Sequence, residues 1–160
     1  MTGVARSGVA VAAPAAGLEQ LLQRQIPLAR AMQVAVLEAT EDTVRLCAPL
    51  APNINVHSTL FGGSAAAVAI LAAWSLLYLR LRPQYPAASI VIQRHGMRYN
   101  RPIQGGFEAH AHLAQPAEWP RFLRLLARRG KARITVATTL EYDGAEAAAF
   151  SGDFVALSGV

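Results

Sequence analysis

The stretch "STLFGGSAAAVAILAAWSLLYL", residues 58–79, carries no charged side chain and is almost wholly apolar. A helix that crosses a membrane needs roughly 20 consecutive apolar residues. Here Gly62, Gly63 and Ser64 interrupt the beginning and Arg80 closes the end, and much of the remainder is alanine, which favours membrane insertion only weakly. A helix that is apolar on every side is otherwise a buried helix. The stretch therefore predicts a central core helix and no membrane anchor.

The residues at both ends of this stretch agree with a helix. Ser58 and Thr59 are residue types that cap the first free N–H groups of a helix, and we expect them to do so here. Arg82 lies where the negative end of the helix dipole is expected, and Pro83 is a residue that ends helices.

The segments around the helix predict a sheet. Helical spacing is found in "LEQLLQRQIPLARAM" (18–32) and "AEWPRFLRLLARRG" (117–130). Strands are predicted in "QVAVLEATEDTVRLCAPL" (33–50, two strands turning at "TED"), "SIVIQRHGMRYNRPI" (89–103), "FEAHAHLAQ" (107–115), "ARITVATTLEYDG" (132–144) and "EAAAFSGDFVAL" (146–157). The last two strands are expected to pair through a turn at Asp143-Gly144. This order predicts one α+β domain in which a curved antiparallel sheet wraps around the long apolar helix.

Length and composition limit the class of protein. A chain of 160 residues, 53% apolar and 16% charged, is typical of one compact domain. We expect residues 1–15 to form a flexible tail and residues 16–160 to form the domain. The single cysteine, Cys47, excludes an internal disulfide and favours a cytoplasmic location. The net charge of +5 comes from arginine, but no lysine-rich face or aromatic–basic platform indicates a nucleic-acid partner.

A motif at the start of the core helix carries a resemblance to a known family. The segment "NINVHSTLFGGSAAAVAILAAW" resembles Asn-x-Asn-x-x-Gly-Thr-x-Phe-Gly-Gly-Ser, which opens the central helix in a bacterial thioesterase-like domain of the hotdog-fold thioesterase superfamily, a domain found alone or behind an acetyltransferase domain. The matching residues are Asn53, Asn55, Thr59, Phe61, Gly62, Gly63, Ser64 and Trp74. The segments "IPLARAM", "MRYNRPI" and "YDGAEAAAFSGDFVAL" extend the similarity over about residues 18–157.

This resemblance implies both a fold and an activity. It implies a hotdog fold, a homodimer with a continuous sheet or a pair of such dimers, and an enzyme that hydrolyses acyl thioesters, with acyl-CoA as the expected substrate. No cofactor is implied. The resemblance does not distinguish coenzyme A from acyl carrier protein as the carrier, and it does not give the length of the acyl chain.

The two glycines of the motif suit the chemistry of thioester hydrolysis. The oxyanion that forms when water attacks the carbonyl needs a positive locus, and a helix N-terminus supplies unpaired N–H groups and a partial positive charge. Glycine lacks a Cβ, so a substrate carbonyl can approach its backbone closely. Gly62 and Gly63 are therefore the candidate oxyanion donors. The alternative is that they only allow tight packing of the helix.

A general base is harder to assign. Related thioesterases carry an Asp or Glu about two turns into this helix, whereas the segment from Ala65 to Trp74 contains no carboxylate. The remaining polar candidates are Asn55, to hold the attacking water, with Ser64 assisting or acting as a nucleophile, and His57 for proton transfer. We expect direct attack by water. A solvated His57 and a purely structural Ser64 remain alternatives.

Other residues are candidates for binding the substrate. Phe61 and Tyr99 are expected at the pocket, and Arg98 and Arg101 carry the planar guanidinium groups that suit CoA phosphates. A second basic group around helix 117–130 either binds the same phosphates at the pocket mouth or forms a solvated face. This group comprises Arg121, Arg124, Arg128, Arg129 and Lys131.

Two histidines and a glutamate on one predicted strand are candidate metal ligands. Glu108, His110 and His112 alternate, so they share one face of a strand. Without a third convincing ligand they predict no metal site.

The missing helix carboxylate favours a non-catalytic acyl-CoA-binding or regulatory protein as the alternative function. A dehydratase would require a carboxylate partner for His57, which the sequence does not provide nearby.

Overall fold

The computed structural model describes residues 13–159, which form four α-helices and six β-strands. In chain order these are α1 (Ala13–Gln25), α2 (Pro27–Ala31), β1 (Ala35–Ala39), β2 (Val44–Ala48), α3 (Gly62–Leu81), β3 (Ser89–Tyr99), β4 (Phe107–Leu113), α4 (Trp119–Arg129), β5 (Lys131–Tyr142) and β6 (Ala145–Leu157). The predicted order of elements is confirmed. Most of the predicted tail lies outside the described residues, but Ala15 is buried in the first turn of α1, so the folded part begins earlier than residue 16.

The six strands form one sheet in the order β1-β2-β4-β5-β6-β3, and every neighbouring pair is antiparallel. The longest pairing joins β5 and β6 through the turn at Asp143 and Gly144, which have φ angles of 54° and 75°. Positive φ at both central residues defines the tight turn that matches strand twist, and Asp-Gly is a preferred sequence for it. The predicted hairpin is therefore confirmed.

Helix α3 lies against one face of this sheet, which we call the inner face. Small side chains line the contact: Ala69, Ala72 and Ala73 have no exposed surface, and neither do Val68 and Leu76. These small residues let the sheet approach the helix backbone. Thr138 of β5 donates a buried hydrogen bond of 3.1 Å to the carbonyl of Ala69, which ties the helix to the middle of the sheet.

Among residues 13–159, α3 is the one helix long and apolar enough to cross a membrane, with a mean hydropathy of 1.7 over its most apolar window. In the fold, 56% of that window is buried, because the sheet covers it. The prediction of a core helix is thus consistent with the structure.

The beginning of α3 differs from the prediction. Phe61 is the N-cap residue and no side chain caps the helix, because Thr59 instead accepts a hydrogen bond from Asn55. Ser58 adopts a left-handed conformation with a φ of 62°. The expectation that Ser58 and Thr59 cap this helix was wrong, since the loop before it has its own hydrogen bonds.

The two edges of the sheet are unequal. β1 is a five-residue strand at one edge, whereas β3 has eleven residues at the other, nine of them exposed. Pairing with β6 places His95, Met97 and Tyr99 of β3 on the inner face, together with the buried Phe150 of β6. The face away from α3 is called the outer face.

Candidate functional site

The candidate site is a cleft of about 610 Å³ at the N-terminus of α3. One wall is the first turn of the helix, with Gly62 and Gly63 at its surface, and the other is the segment from Tyr99 to Ile103 that follows β3. A hydrogen bond of 2.8 Å from the amide of Leu60 to the carbonyl of Ile103 holds the two walls together. The cleft therefore brings together two parts of the chain that lie about forty positions apart in sequence.

The first turn of α3 presents amides that the fold leaves without acceptors. The first helical hydrogen bond is donated by Ala65 to the carbonyl of Phe61 at 3.1 Å, so the amides of Gly62, Gly63 and Ser64 precede it. Within residues 13–159 no acceptor is hydrogen-bonded to these three amides. At a helix N-terminus such groups carry about half a positive charge and bind anionic oxygen.

Tyr99 lies directly beside the glycine pair. Its hydroxyl donates a hydrogen bond of 2.8 Å to the carbonyl of Gly62. Burial raises the pKa of Tyr99 above its ordinary value, so the phenol stays protonated and keeps donating at neutral pH. A Cβ on Gly62 would lie 3.4 Å from the Tyr99 hydroxyl, which leaves little space at this position.

Gly63 lies against a different neighbour. A Cβ placed on this residue would overlap the aromatic ring of Phe61, whose side chain is 55% exposed and lies over the backbone of Gly63. The absence of a side chain at 63 therefore lets the Phe61 ring cover the helix start. The exposed ring is also an apolar surface at the edge of the amides.

Asn55 organises the loop before the helix. Its Nδ2 donates to the hydroxyl of Thr59 at 2.8 Å and to the carbonyl of Leu60 at 3.3 Å. Its Oδ1 accepts from the amides of His57 at 2.8 Å and Thr59 at 3.1 Å. All four of these bonds lie within the loop, so Asn55 positions the chain that leads into Phe61, Gly62 and Gly63.

With the fold and the cleft described, comparison with known proteins identifies the family. A family model described as "Putative thioesterase (yiiD_Cterm)" matches residues 15–158. The chain belongs to this thioesterase family. The family assignment confirms the resemblance that the motif at residues 53–74 carries.

Three solved structures illustrate the similarity. A protein of unknown function from Chlorobaculum tepidum is 29% identical with a TM-score of 0.83, and the match covers 89% of this chain and 93% of that one. A protein described as a "putative thioesterase" from Shewanella oneidensis is 29% identical with a TM-score of 0.75, covering 89% and 96%. A thioesterase from Haemophilus influenzae shares the fold at 13% identity, with a TM-score of 0.73 and coverage of 91% and 92%. The hotdog fold is thereby confirmed.

The remaining predicted residues are not all at the cleft of this thioesterase-family chain. Ser64 is half-buried in the first turn of α3, beside the free amides. His57 is exposed in the loop, and among the described residues only its backbone amide is hydrogen-bonded. Arg98 is exposed on the outer face of β3, where it pairs in register with Ala149.

Arg101 borders the cleft, but its guanidinium is hydrogen-bonded to the β5–β6 hairpin. It donates to the carbonyls of Tyr142, Ala145 and Glu146, the last two at 2.9 and 3.3 Å, and stacks over the Tyr142 ring. Gly62, Gly63, Tyr99 and Arg101 are therefore the predicted residues that line the cleft, but the Arg101 guanidinium is held by the hairpin.

The basic group on α4 lies far from this cleft within one chain. α4 leads into Lys131 at the start of β5, whereas Arg101 contacts Tyr142 at the end of the same strand. Twelve residues of extended strand separate the two ends by about 35 Å. On α4, Phe122 and Leu126 are buried and the arginines at 121, 124, 128 and 129 are exposed.

Two residues near the cleft were not selected from the sequence. Asn100 lines it directly after Tyr99. His95 lies on the same inner face of β3 as Tyr99 and stacks on Phe150 at 5.5 Å. The alternation of side chains along a strand was a sufficient signal for His95, since residues 95, 97 and 99 must share a face.

Proposed function

We propose that the protein is an acyl-CoA thioesterase that binds the thioester oxygen at the N-terminus of α3. The observation that carries this proposal is the set of unpartnered amides of Gly62 and Gly63 at the cleft in a chain of the thioesterase family. A single donor aimed at a developing oxyanion is typically worth about 3–4 kcal/mol of transition-state stabilisation. Two such donors give a substantial part of the rate enhancement of an ordinary hydrolase.

The proposed reaction is direct attack of water on the thioester carbonyl. The attacking water forms the C–O bond, the carbonyl oxygen becomes an oxyanion on the glycine amides, and the C–S bond then breaks. The leaving sulfur takes up the proton that the water loses. Because a thiol has a pKa of about 8.5, the thiolate leaves without strong acid assistance. This reaction therefore needs less help from a general acid at the leaving group than amide hydrolysis does.

The polar side chains next to the amides have distinct proposed roles. Ser64 is proposed to hold the attacking water, because it directly follows the two glycines and no hydrogen bond to its hydroxyl is found among residues 13–159. Asn55, whose side chain is committed to the loop, positions the amides and contributes to water binding only by exchanging one of its four bonds. Tyr99 fixes the carbonyl of Gly62 and thereby the orientation of the peptide that follows it.

We also propose a homodimer that pairs β3 with β3 of a second copy. A long edge strand with exposed apolar side chains is a surface for strand addition, and Val91 and Ile92 are 50% and 36% exposed. Tyr99, at the end of this strand, lines the cleft. The second copy would therefore close the cleft along its open side, and two such dimers could associate further.

The test is a panel of acyl-CoA thioesters of different chain length, assayed by detection of the released thiol. A parallel panel carries the same acyl groups on acyl carrier protein. We expect turnover of at least one acyl-CoA, at least tenfold lower turnover in Ser64→Ala, and a normal melting temperature in that variant. Turnover only on acyl carrier protein would change the carrier and leave the reaction class intact.

The alternative is a non-catalytic acyl-CoA-binding protein, and one observation favours it. The interior of α3 from Ala65 to Trp74 has no carboxylate to activate water. Saturable binding of an acyl-CoA by calorimetry without any thiol release would establish this alternative. If the protein neither binds nor hydrolyses any member of the two panels, both proposed functions are contradicted.

A further inference from the structure

A cluster of ionisable side chains lies on the outer face of the sheet, away from the cleft. Glu108 and His110 of β4 project from this face, because the alternate residues Phe107, Ala109 and Ala111 are buried on the inner face. In the pairing of β4 with β5, Glu108 stands directly opposite Glu141. Three titratable groups therefore converge from two neighbouring strands.

The donor atoms of these three side chains are close enough to share one ion. The Nε2 atom of His110 is 2.8 Å from the Oε2 atom of Glu108 and 3.6 Å from that of Glu141. All three donor atoms lie within 4.8 Å of one another. Ligands on a tetrahedral zinc ion, bound at about 2.0–2.1 Å, are themselves about 3.3 Å apart. Small side-chain rotations would bring the three atoms to this spacing.

The charge of the cluster also favours a cation. Arg45 of β2 pairs with Glu108 at 2.8 Å and with Glu38 at 3.6 Å. Arg45 thus pairs with two of the three carboxylates, whereas Glu141 is paired only with His110 among the described residues. The four groups Arg45, Glu38, Glu108 and Glu141 together carry two negative charges when His110 is neutral. This surface is acidic in a chain whose net charge is +5. A divalent ion would balance it.

Glu108 offers two carboxylate oxygens to the cluster. Its Oε2 atom accepts from Arg45 and lies 2.8 Å from the Nε2 atom of His110. Its Oε1 atom has no hydrogen bond among residues 13–159, so it can bind an ion while Arg45 remains on Oε2.

We propose that Glu108, His110 and Glu141 form a binding site for a divalent transition-metal ion such as Zn²⁺ that joins β4 to β5. One imidazole and two carboxylates suit such ions, whereas Mg²⁺ favours an all-oxygen shell with several waters. The site lies on the face of the sheet opposite α3, so its role is to stabilise the strand pair and not to take part in thioester chemistry. His112, the other histidine of this face, is exposed and is not part of the cluster.

The experiment is calorimetric titration of the metal-free full chain with ZnCl₂, with MgCl₂ as the comparison ion. We expect one Zn²⁺ per chain and a rise in melting temperature with Zn²⁺, because a ligand that binds the folded state stabilises it. His110→Ala and Glu141→Gln should each weaken Zn²⁺ binding by at least about tenfold. His112→Ala, on the same strand and face, is the matched control and should bind as the unchanged protein does.

Each result bears on the site itself. No Zn²⁺ uptake by the unchanged protein, unchanged affinity in both His110→Ala and Glu141→Gln, or an equal loss in His112→Ala would overturn the proposal. If His110→Ala does not fold, as judged by circular dichroism, Glu141→Gln decides alone, since it removes a ligand charge from a partly exposed side chain. The measurement needs no thioester and is independent of the proposed activity.

Discussion

At the scale of single residues, Ser58 occupies a backbone conformation that glycine prefers. Its φ of 62° lies in the left-handed region, which costs a non-glycine residue about 1–2 kcal/mol. The thioesterase-like motif has glycine at this position, and the structure supplies the physical reason.

We predict that Ser58→Gly raises the stability of the folded protein. The gain should be about 0.5–1 kcal/mol, because the greater chain entropy of glycine in the unfolded state offsets part of the relieved strain. Urea unfolding followed by circular dichroism measures it. Ser151→Gly, at an exposed serine in extended strand β6, is the control and should lower stability. Equal effects of the two substitutions would show that φ at residue 58 is not the cause.

Gly63 leads to a prediction about activity. In Gly63→Ala the new Cβ overlaps the ring of Phe61, so the ring or the amide must move, and we expect kcat with acyl-CoA to fall at least about tenfold. Gly62→Ala should cost less, because its Cβ would meet the Tyr99 hydroxyl at 3.4 Å without overlap. Adding Phe61→Ala to Gly63→Ala removes the clash and should recover part of kcat. Full activity in Gly63→Ala alone would contradict the assignment of this amide.

At the scale of secondary-structure elements, Asp153 joins three neighbouring strands on the outer face. Its Oδ1 accepts from the hydroxyl of Thr135 on β5 and its Oδ2 from the Nε of Arg94 on β3, both at 2.6 Å. These two hydrogen bonds, the Thr135 bond first, lower the pKa of Asp153. The charged form is therefore favoured by folding.

The sign of this pKa shift predicts how stability depends on pH. A carboxyl with a depressed pKa in the folded state contributes stability above its unfolded pKa of about 3.9, and the contribution is lost as pH falls through the folded pKa. Asp153→Asn should therefore cost about 1–3 kcal/mol at pH 7 and progressively less below about pH 4. Denaturant unfolding at pH 7 and pH 3 measures the difference.

The control for this prediction is Asp42→Asn. Asp42 pairs with Arg80 at 3.4 Å, but its side chain is 95% exposed, so the substitution should change stability little at either pH. If Asp153→Asn lowers the free energy of unfolding equally at both pH values, the shape of this side chain, and not its charge, holds the three strands together.

Elements could be predicted from the sequence because each depends on local periodicity and turn residues. The strand β4, the apolar helix α3 and the turn at Asp143-Gly144 are examples. Register between strands is set by long-range pairing, and for this reason the sequence placed Glu108 and His110 on one face but could not supply Glu141. The four hydrogen bonds of Asn55 could not be predicted from the sequence either, because they depend on the path of the loop and not on the residue type.

At the scale of the whole molecule, the exposed edge strand predicts the oligomeric state. Val91→Lys adds a cation to β3, a strand that already carries Arg94 and Arg98, so two copies of the strand would repel each other. We expect the unchanged protein to be a dimer and this variant to shift towards the monomer. Light scattering coupled to size-exclusion chromatography measures the mass of each. Leu37→Lys, at an exposed apolar residue of the opposite edge strand, should leave the dimer intact.

Two results would contradict this dimer. One is a monomeric mass for the unchanged protein at micromolar concentration, and the other is dissociation caused by Leu37→Lys but not by Val91→Lys. Either would leave the proposed chemistry on α3 unaffected, because the amides of Gly62 and Gly63 belong to a single chain.

The strand order has a consequence for the time at which the cleft forms. β3 precedes β4 in the chain, yet its partner in the sheet is β6, whose pairing residue for Tyr99 is Ala148. As a ribosome releases the chain, Tyr99 emerges well before Ala148. Helix α3 can therefore assemble with β1, β2 and β4 while β3 still lacks its partner strand β6. Contacts between distant positions form slowly. We therefore expect the β3 side of the cleft to become fully ordered only after β6 has emerged and paired with it.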